Sequence, residues 1–161
     1  MTTPENSRAL LRHTLATVAY RGVKSVSDAP PGFAEFRVAE GSRTPAEILA
    51  HIGDLFDWGL SLANGQQRWH DSTPVAWNEQ IARFFDAIRK LDERLGSAEP
   101  LACPAENLFQ GPIADALTHI GQIAMLRRLA GGPVRAENYF TADIASGRVG
   151  PEQRRPKAEF G

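Results

Sequence analysis

This chain of 161 residues has little of several features that would each indicate a different class of protein. Its single cysteine, Cys103, excludes an intrachain disulfide and favours a reducing compartment. Lysine and arginine number 18 against 19 acidic residues, so the basic surface typical of nucleic-acid-binding proteins is missing. No apolar run approaches the roughly 18 residues that span a bilayer, and the N-terminus lacks a signal-peptide pattern. We therefore expect a cytoplasmic protein with neither a nucleic-acid nor a membrane partner.

What the sequence does contain is four segments with helical periodicity. Apolar side chains recur every three or four residues in each segment, most regularly from Trp77 to Leu95. Thr44 and Glu47 form a capping-box pattern that predicts the start of the second helix. Gly22 is the predicted stop of the first helix. The predicted helices cover about residues 4–21, 44–64, 72–96 and 112–131.

The remaining segments are predicted to be irregular. Residues 23–43 contain Pro30 and Pro31, and residues 97–110 form a long connection. The sequence thus predicts an all-α, four-helix bundle over residues 1–132. Residues 133–161 are rich in glycine, proline and charge, and we expect them to form an irregular C-terminal extension that packs on the bundle, with a mobile end.

Two histidines and one aspartate stand out on the predicted helices. Asp115 precedes His119 by four residues, so both side chains share a face of the fourth helix. His51 lies on the apolar stripe of the second helix. Two imidazoles and a carboxylate facing a bundle interior suit a transition metal, but Asp115 and His119 could also form a simple hydrogen-bonded pair. His70 precedes the third helix and is predicted to be exposed.

Two other polar residues lie at the edges of these faces. Asp54 follows His51 by three residues, and Gln122 follows His119 by three. Either could orient an imidazole or hold a bound water, or simply face solvent.

The run from His119 to Gly131, HIGQIAMLRRLAG, resembles the fourth-helix motif of the DinB/YfiT-like metalloprotein family. The second helix, TPAEILAHIGDLFDW, resembles the family helix that carries the first metal ligand. The resemblance covers about residues 5–132, and it implies a DinB-like four-helix bundle with a divalent metal ion, often zinc or nickel.

By motif position, His51 matches the first ligand of the family and His119 the last. The middle ligand, a histidine in relatives, is here Asp115, so the resemblance implies a site of two histidines and one carboxylate. A carboxylate shifts the preference towards Fe(II), Mn(II) or Zn(II). The alternative is that the site has lost its metal and that Asp115 pairs with His119.

Relatives in this family include metal-dependent transferases that use low-molecular-weight thiols. The resemblance therefore implies a divalent-metal-dependent enzyme for a small-molecule substrate, in which a metal-bound thiolate or water is the nucleophile. Asp54, Gln122, Glu137 and Tyr139 are candidates to line its pocket, while no separate catalytic base is evident. The alternative for Tyr139 is that it only packs the C-terminal extension on the bundle. The alternative is a non-catalytic helical bundle, possibly a homodimer, with a vestigial or structural metal site.

Overall fold

A computed structural model describes residues 4–161, and these form an all-α bundle of four long helices. The long helices are α1 (Pro4–Val26), α2 (Pro45–Ala63), α3 (Trp77–Gly96) and α5 (Ala114–Leu129). A short helix, α4 (Ala105–Leu108), and a π-helical turn (Phe109–Ile113) lead directly into α5. Single 3-10 turns lie at Phe33–Glu35 and Tyr139–Thr141, and two short strands, β1 (Ala136–Glu137) and β2 (Glu159–Phe160), pair antiparallel.

The four long helices surround one apolar core. Helices α1 and α2 each pack against both α3 and α5, so α1 lies diagonally opposite α2. Phe56 of α2 and Phe84 of α3 are fully buried with their ring centroids 6.1 Å apart. A bidentate ion pair between Arg12 and the buried carboxylate of Asp92, with both N···O distances 2.9 Å, joins α1 to α3. None of the described helices has the length and hydropathy needed to span a membrane.

The start of α2 confirms the predicted capping box. The Glu47 amide donates to Thr44 Oγ1 at 3.2 Å, and the Thr44 amide donates to Glu47 Oε2 at 2.6 Å. This reciprocal pairing satisfies amides that have no partner within the helix. The helix ends at Ala63, next to the predicted Asn64–Gly65 stop. The predicted end of α3 at Gly96 is also confirmed.

Three predicted boundaries are wrong for identifiable reasons. Helix α1 continues past Gly22, and the glycine instead makes room for Phe84, whose ring lies 2.8 Å from where a Cβ would be. Helix α3 begins at Trp77 rather than near residue 72, because Ser72 binds a carboxylate of α2 instead of capping α3. The predicted connection 97–110 contains α4 and part of the π-helical turn, whose wider geometry accommodates Pro112.

The C-terminal extension lies against α1. Glu137 of β1 is buried, and its carboxylate accepts hydrogen bonds from Tyr20 and Lys24, each at 2.7 Å. Lys24 also donates to Glu159 of β2 at 3.1 Å. The last residues are therefore paired with β1 and α1 in this structure, while their mobility stays a prediction.

Candidate metal centre

Helices α2 and α5 bring together the three side chains that the sequence singled out. His51 Nε2 lies 3.6 Å from Asp115 Oδ2, and His119 Nε2 lies 3.5 Å from Asp115 Oδ1. The two imidazole rings stand edge to face, with centroids 4.8 Å apart. One ligand atom from each residue lies within 4.8 Å of the other two.

These separations differ from those of a hydrogen-bonded cluster. An N–H···O hydrogen bond spans about 2.7–3.2 Å, and both histidine–aspartate distances are longer. Two ligands held about 2.1 Å from a tetrahedral ion stand about 3.4 Å apart, which is close to the observed values. The two histidine–aspartate distances, which reach different oxygens of Asp115, are therefore compatible with ligands of one ion.

The two imidazoles are more buried than the carboxylate. The side chains of His51 and His119 are 19% and 13% exposed, whereas that of Asp115 is 47% exposed. Burial, followed by the nearby charges of His119 and Arg43, lowers the pKa of His51, although the Asp115 carboxylate opposes this shift. A lowered pKa favours the neutral imidazole, which is the form that binds metals.

The two histidine rings are each held by a neighbour. Gln122 Oε1 lies 2.8 Å from His119 Nδ1. A proton on that Nδ1 leaves the lone pair of Nε2 directed towards Asp115, which is the tautomer a metal ligand needs. The indole of Trp69 packs edge to face on His51 at 5.6 Å between centroids, and Trp58 packs on Trp69 at 5.9 Å.

Each of the three residues borders a different surface cleft. His51 lines a mostly polar cleft of about 470 Å³ together with Ser72, while Asp115 lines one of about 380 Å³ beside Trp58. His119 lines a mostly apolar cleft of about 510 Å³. Small molecules can therefore approach the cluster from three sides.

A second cluster of possible ligands lies one turn further along α2. Asp54, Asp57 and His70 also place three ligand atoms within 4.8 Å of one another. Here Arg83 of α3 forms ion pairs with both carboxylates, with N···O distances of 2.6 Å to Asp54 and 2.9 Å to Asp57. Ser72 donates to both Asp54 oxygens, through its amide at 2.8 Å and its hydroxyl at 2.6 Å.

Of the other residues named from the sequence, some lie beside the candidate metal cluster and others do not. Gln122 contacts His119 directly, as described above. Asp54 borders the cleft of His51, but it lies 3.2 Å from His70 Nε2 and binds Arg83 and Ser72. Tyr139 packs on α1 against Tyr20 and beneath Arg21, and it borders none of the three described clefts.

Sequence reasoning missed three residues around the two clusters of possible ligands. Trp69 covers His51 from the loop between α2 and α3, where the only signal was an aromatic residue in a polar segment. Arg83 faces α2 because Gly53 leaves room for its guanidinium, which a Cβ at that position would overlap. Arg43 precedes the cap of α2 and borders the clefts of both histidines, and no local pattern marks it.

Comparison with known proteins gives no assignment, because no protein-family model, no curated protein and no solved structure matches this chain.

Proposed function

We propose that the chain is a DinB-like, divalent-metal-dependent enzyme that transfers a low-molecular-weight thiol to an electrophilic small molecule. His51, Asp115 and His119 are the proposed ligands. The observation that carries the proposal is the spacing of these three residues, with histidine–aspartate distances of 3.5 and 3.6 Å that fit a shared ion better than hydrogen bonds.

The donor set restricts the metals that suit the site. Two imidazoles and one carboxylate with open positions are ligands for Zn(II), Fe(II) or Mn(II). An aspartate in place of the family's middle histidine makes nickel a less favoured occupant. The single carboxylate also balances one of the two charges of the ion.

The residues around the cluster have distinct roles in this proposal. Gln122 holds His119 in the tautomer that presents Nε2, and Trp69 restricts the ring of His51. Asp115 contributes the negative charge, and its partial exposure leaves the far side of the site open to a substrate.

A divalent ion bound here would lower the pKa of a coordinated thiol or water and so supply a nucleophile at neutral pH. The polar cleft beside His51, with Ser42, Ser72 and Thr73 in its lining, offers hydroxyl groups for a polar thiol. The thiol proton leaves to solvent, the sulfur forms a bond to the electrophilic carbon, and the leaving group departs with its electron pair.

Metal analysis of the purified, untagged protein tests the ligand set. After reconstitution with Zn(II), Fe(II), Mn(II) or Ni(II) in turn, elemental analysis should find one metal ion per chain. His51→Ala and His119→Ala should lose it, whereas His13→Ala, which changes an exposed histidine of α1, should retain it. A wild-type chain that binds none of the four metals would refute the proposal, and so would a His51→Ala variant that binds like the wild type.

Thiol binding tests the proposed reaction. In cobalt-substituted protein, added thiol should shift the visible absorption bands, and thiol should be consumed when an electrophile is added. His51→Ala should abolish both effects. If metal binds but thiols leave the spectrum unchanged, the transferase assignment fails, and ester or amide hydrolysis should be assayed instead. A metal that binds without any such activity would indicate the non-catalytic alternative.

A further inference from the structure

The apolar cleft beside His119 has an unusual lining for a surface. It measures about 510 Å³, and its walls come from the loop before α2, from α2 and from α5. Three large side chains at its border are more than half exposed: Val38 at 53%, Met125 at 53% and Leu129 at 56%. Clustered exposed apolar residues of this kind mark binding surfaces, and the volume is in the range of small-molecule sites.

Arg43 is the only lysine, arginine or acidic residue among the described residues that line this cleft. It forms no hydrogen bond or ion pair within residues 4–161, whereas Arg37 nearby is paired with Glu47 at 3.4 Å. No carboxylate of the cleft lining competes for the guanidinium. The positive charge of Arg43, at the rim of an apolar surface, therefore has no partner among the residues that the structure describes.

We propose that this cleft binds an amphipathic carboxylate, with its apolar chain along Ile48, Met125 and Leu129 and its carboxylate on Arg43. A guanidinium binds a carboxylate through two parallel hydrogen bonds, which an alcohol or an amine cannot reproduce. A cationic amphiphile would meet Arg43 without any acidic group to balance it. Because the cleft also borders His119, a carboxylate of this kind whose chain carries an electrophilic carbon and a leaving group would be the acceptor substrate of the metal site, a part of the inference that rests on the proposed function.

Calorimetric titration of the metal-free full-length chain tests this binding directly. Octanoate should bind more tightly than octylammonium or octanol, which have the same chain length. From hexanoate to decanoate, the Kd should fall by about fourfold for each methylene that leaves water.

Two variants separate the head group from the chain. Arg43→Gln should weaken octanoate about threefold and leave octanol unchanged, because an exposed ion pair contributes little beyond this. Arg128→Gln is the matched control, since Arg128 is an exposed arginine of α5 outside the cleft lining. Met125→Asn should weaken both ligands, and thermal unfolding followed by circular dichroism checks that each variant is folded.

Several outcomes would overturn the inference. These are octylammonium binding as tightly as octanoate, Arg43→Gln having no effect, or octanoate binding only when metal is present. A dimer in light scattering that Leu129→Asp dissociates would show that a second copy covers the cleft instead. Octanoate binding to His51→Ala distinguishes the two proposals, because this variant lacks a metal ligand but His51 is outside the cleft lining.

Discussion

The two clusters of possible ligands along α2 contain the same residue types, histidine and aspartate, but they differ in whether a cationic side chain pairs with the carboxylates. Each gathers histidine and aspartate ligand atoms within 4.8 Å of one another. In the cluster of Asp54, Asp57 and His70, the Arg83 guanidinium lies where a cation would be needed and Ser72 binds the buried carboxylate. In the cluster of His51, Asp115 and His119, no arginine or lysine pairs with the carboxylate in residues 4–161. Proximity of ligands is thus common to both clusters, and the resident cation is the difference between them.

The largest expected effect comes from Asp54→Asn, which breaks the structural cluster. The change puts an NH2 group among the donors of Ser72 and Arg83 and leaves Asp57 as the remaining carboxylate on Arg83, so the free energy of unfolding should fall by about 3 kcal/mol. Urea unfolding of the metal-free chain measures this loss. Metal stoichiometry should stay at the wild-type value, and its loss in a folded variant would contradict the division of roles.

Asp115→Asn should lower the metal affinity and leave the stability of the metal-free chain nearly unchanged, the reverse of Asp54→Asn. Losing even a partner of a metal ligand weakens metal affinity about 10–100-fold, so losing the charge of a ligand should weaken Zn(II) about 100-fold. The metal-free chain should unfold within about 0.5 kcal/mol of the wild type, because this side chain is half exposed. Competition with a chromophoric chelator gives the Zn(II) affinity. Equal effects of Asp54→Asn and Asp115→Asn on metal affinity would remove the contrast between the clusters.

Arg83→Gln tests whether the resident cation is what keeps metal out of the second cluster. Without the guanidinium, the two carboxylates and His70 should accept a second, weaker Zn(II), so a second equivalent should appear in titration. Arg89→Gln is the control, since Arg89 pairs with exposed carboxylates on the same helix. A single equivalent in Arg83→Gln would show that the geometry of this cluster, rather than its cation, excludes metal.

The smallest effect concerns pH. Burial first, and then the charges of His119 and Arg43, lower the pKa of His51 from its ordinary value of 6.5. Below that value the unfolded chain therefore binds more protons than the folded one, so the metal-free protein should lose stability as the pH falls through 6.5.

His51→Gln removes this contribution. The stability of the wild type relative to His51→Gln should therefore decrease between pH about 7.5 and about 5.5, measured by urea unfolding in the presence of a chelator. His70→Gln serves as the comparison from the structural cluster. A constant difference between wild type and His51→Gln would contradict the lowered pKa.

Local patterns predicted the parts of this molecule that depend on local physics. The apolar seam from Trp77 to Leu95 and the cap at Thr44 involve residues within a turn of one another, so the sequence alone is informative. The pairing of His119 with Gln122 follows from the same i, i+3 spacing. Gly22 was misread because its role depends on Phe84, which is more than sixty residues away along the chain.

The surroundings of the site could not be predicted for a related reason. Trp69 and Arg43 reach the cluster from loops, where no periodicity indicates the direction of a side chain. The approach of His51 to Asp115 was implied by the family resemblance, but only the packing of α2 beside α5 brings the two side chains to 3.6 Å. Ser72 is the first residue of the predicted third helix, but its hydrogen bonds to Asp54 are a tertiary contact that this local pattern does not indicate.

The anchoring of Glu137 and Glu159 on Lys24 has a consequence for how the chain opens. Releasing β1 would leave the fully buried carboxylate of Glu137 and the hydroxyl of Tyr20 without their partners. Local opening of this strand alone therefore has a high free-energy cost. Its amides should exchange with deuterium together with those of the last turns of α1, as one cooperative unit. Residues far beyond the bundle in sequence thereby report on the integrity of its first helix.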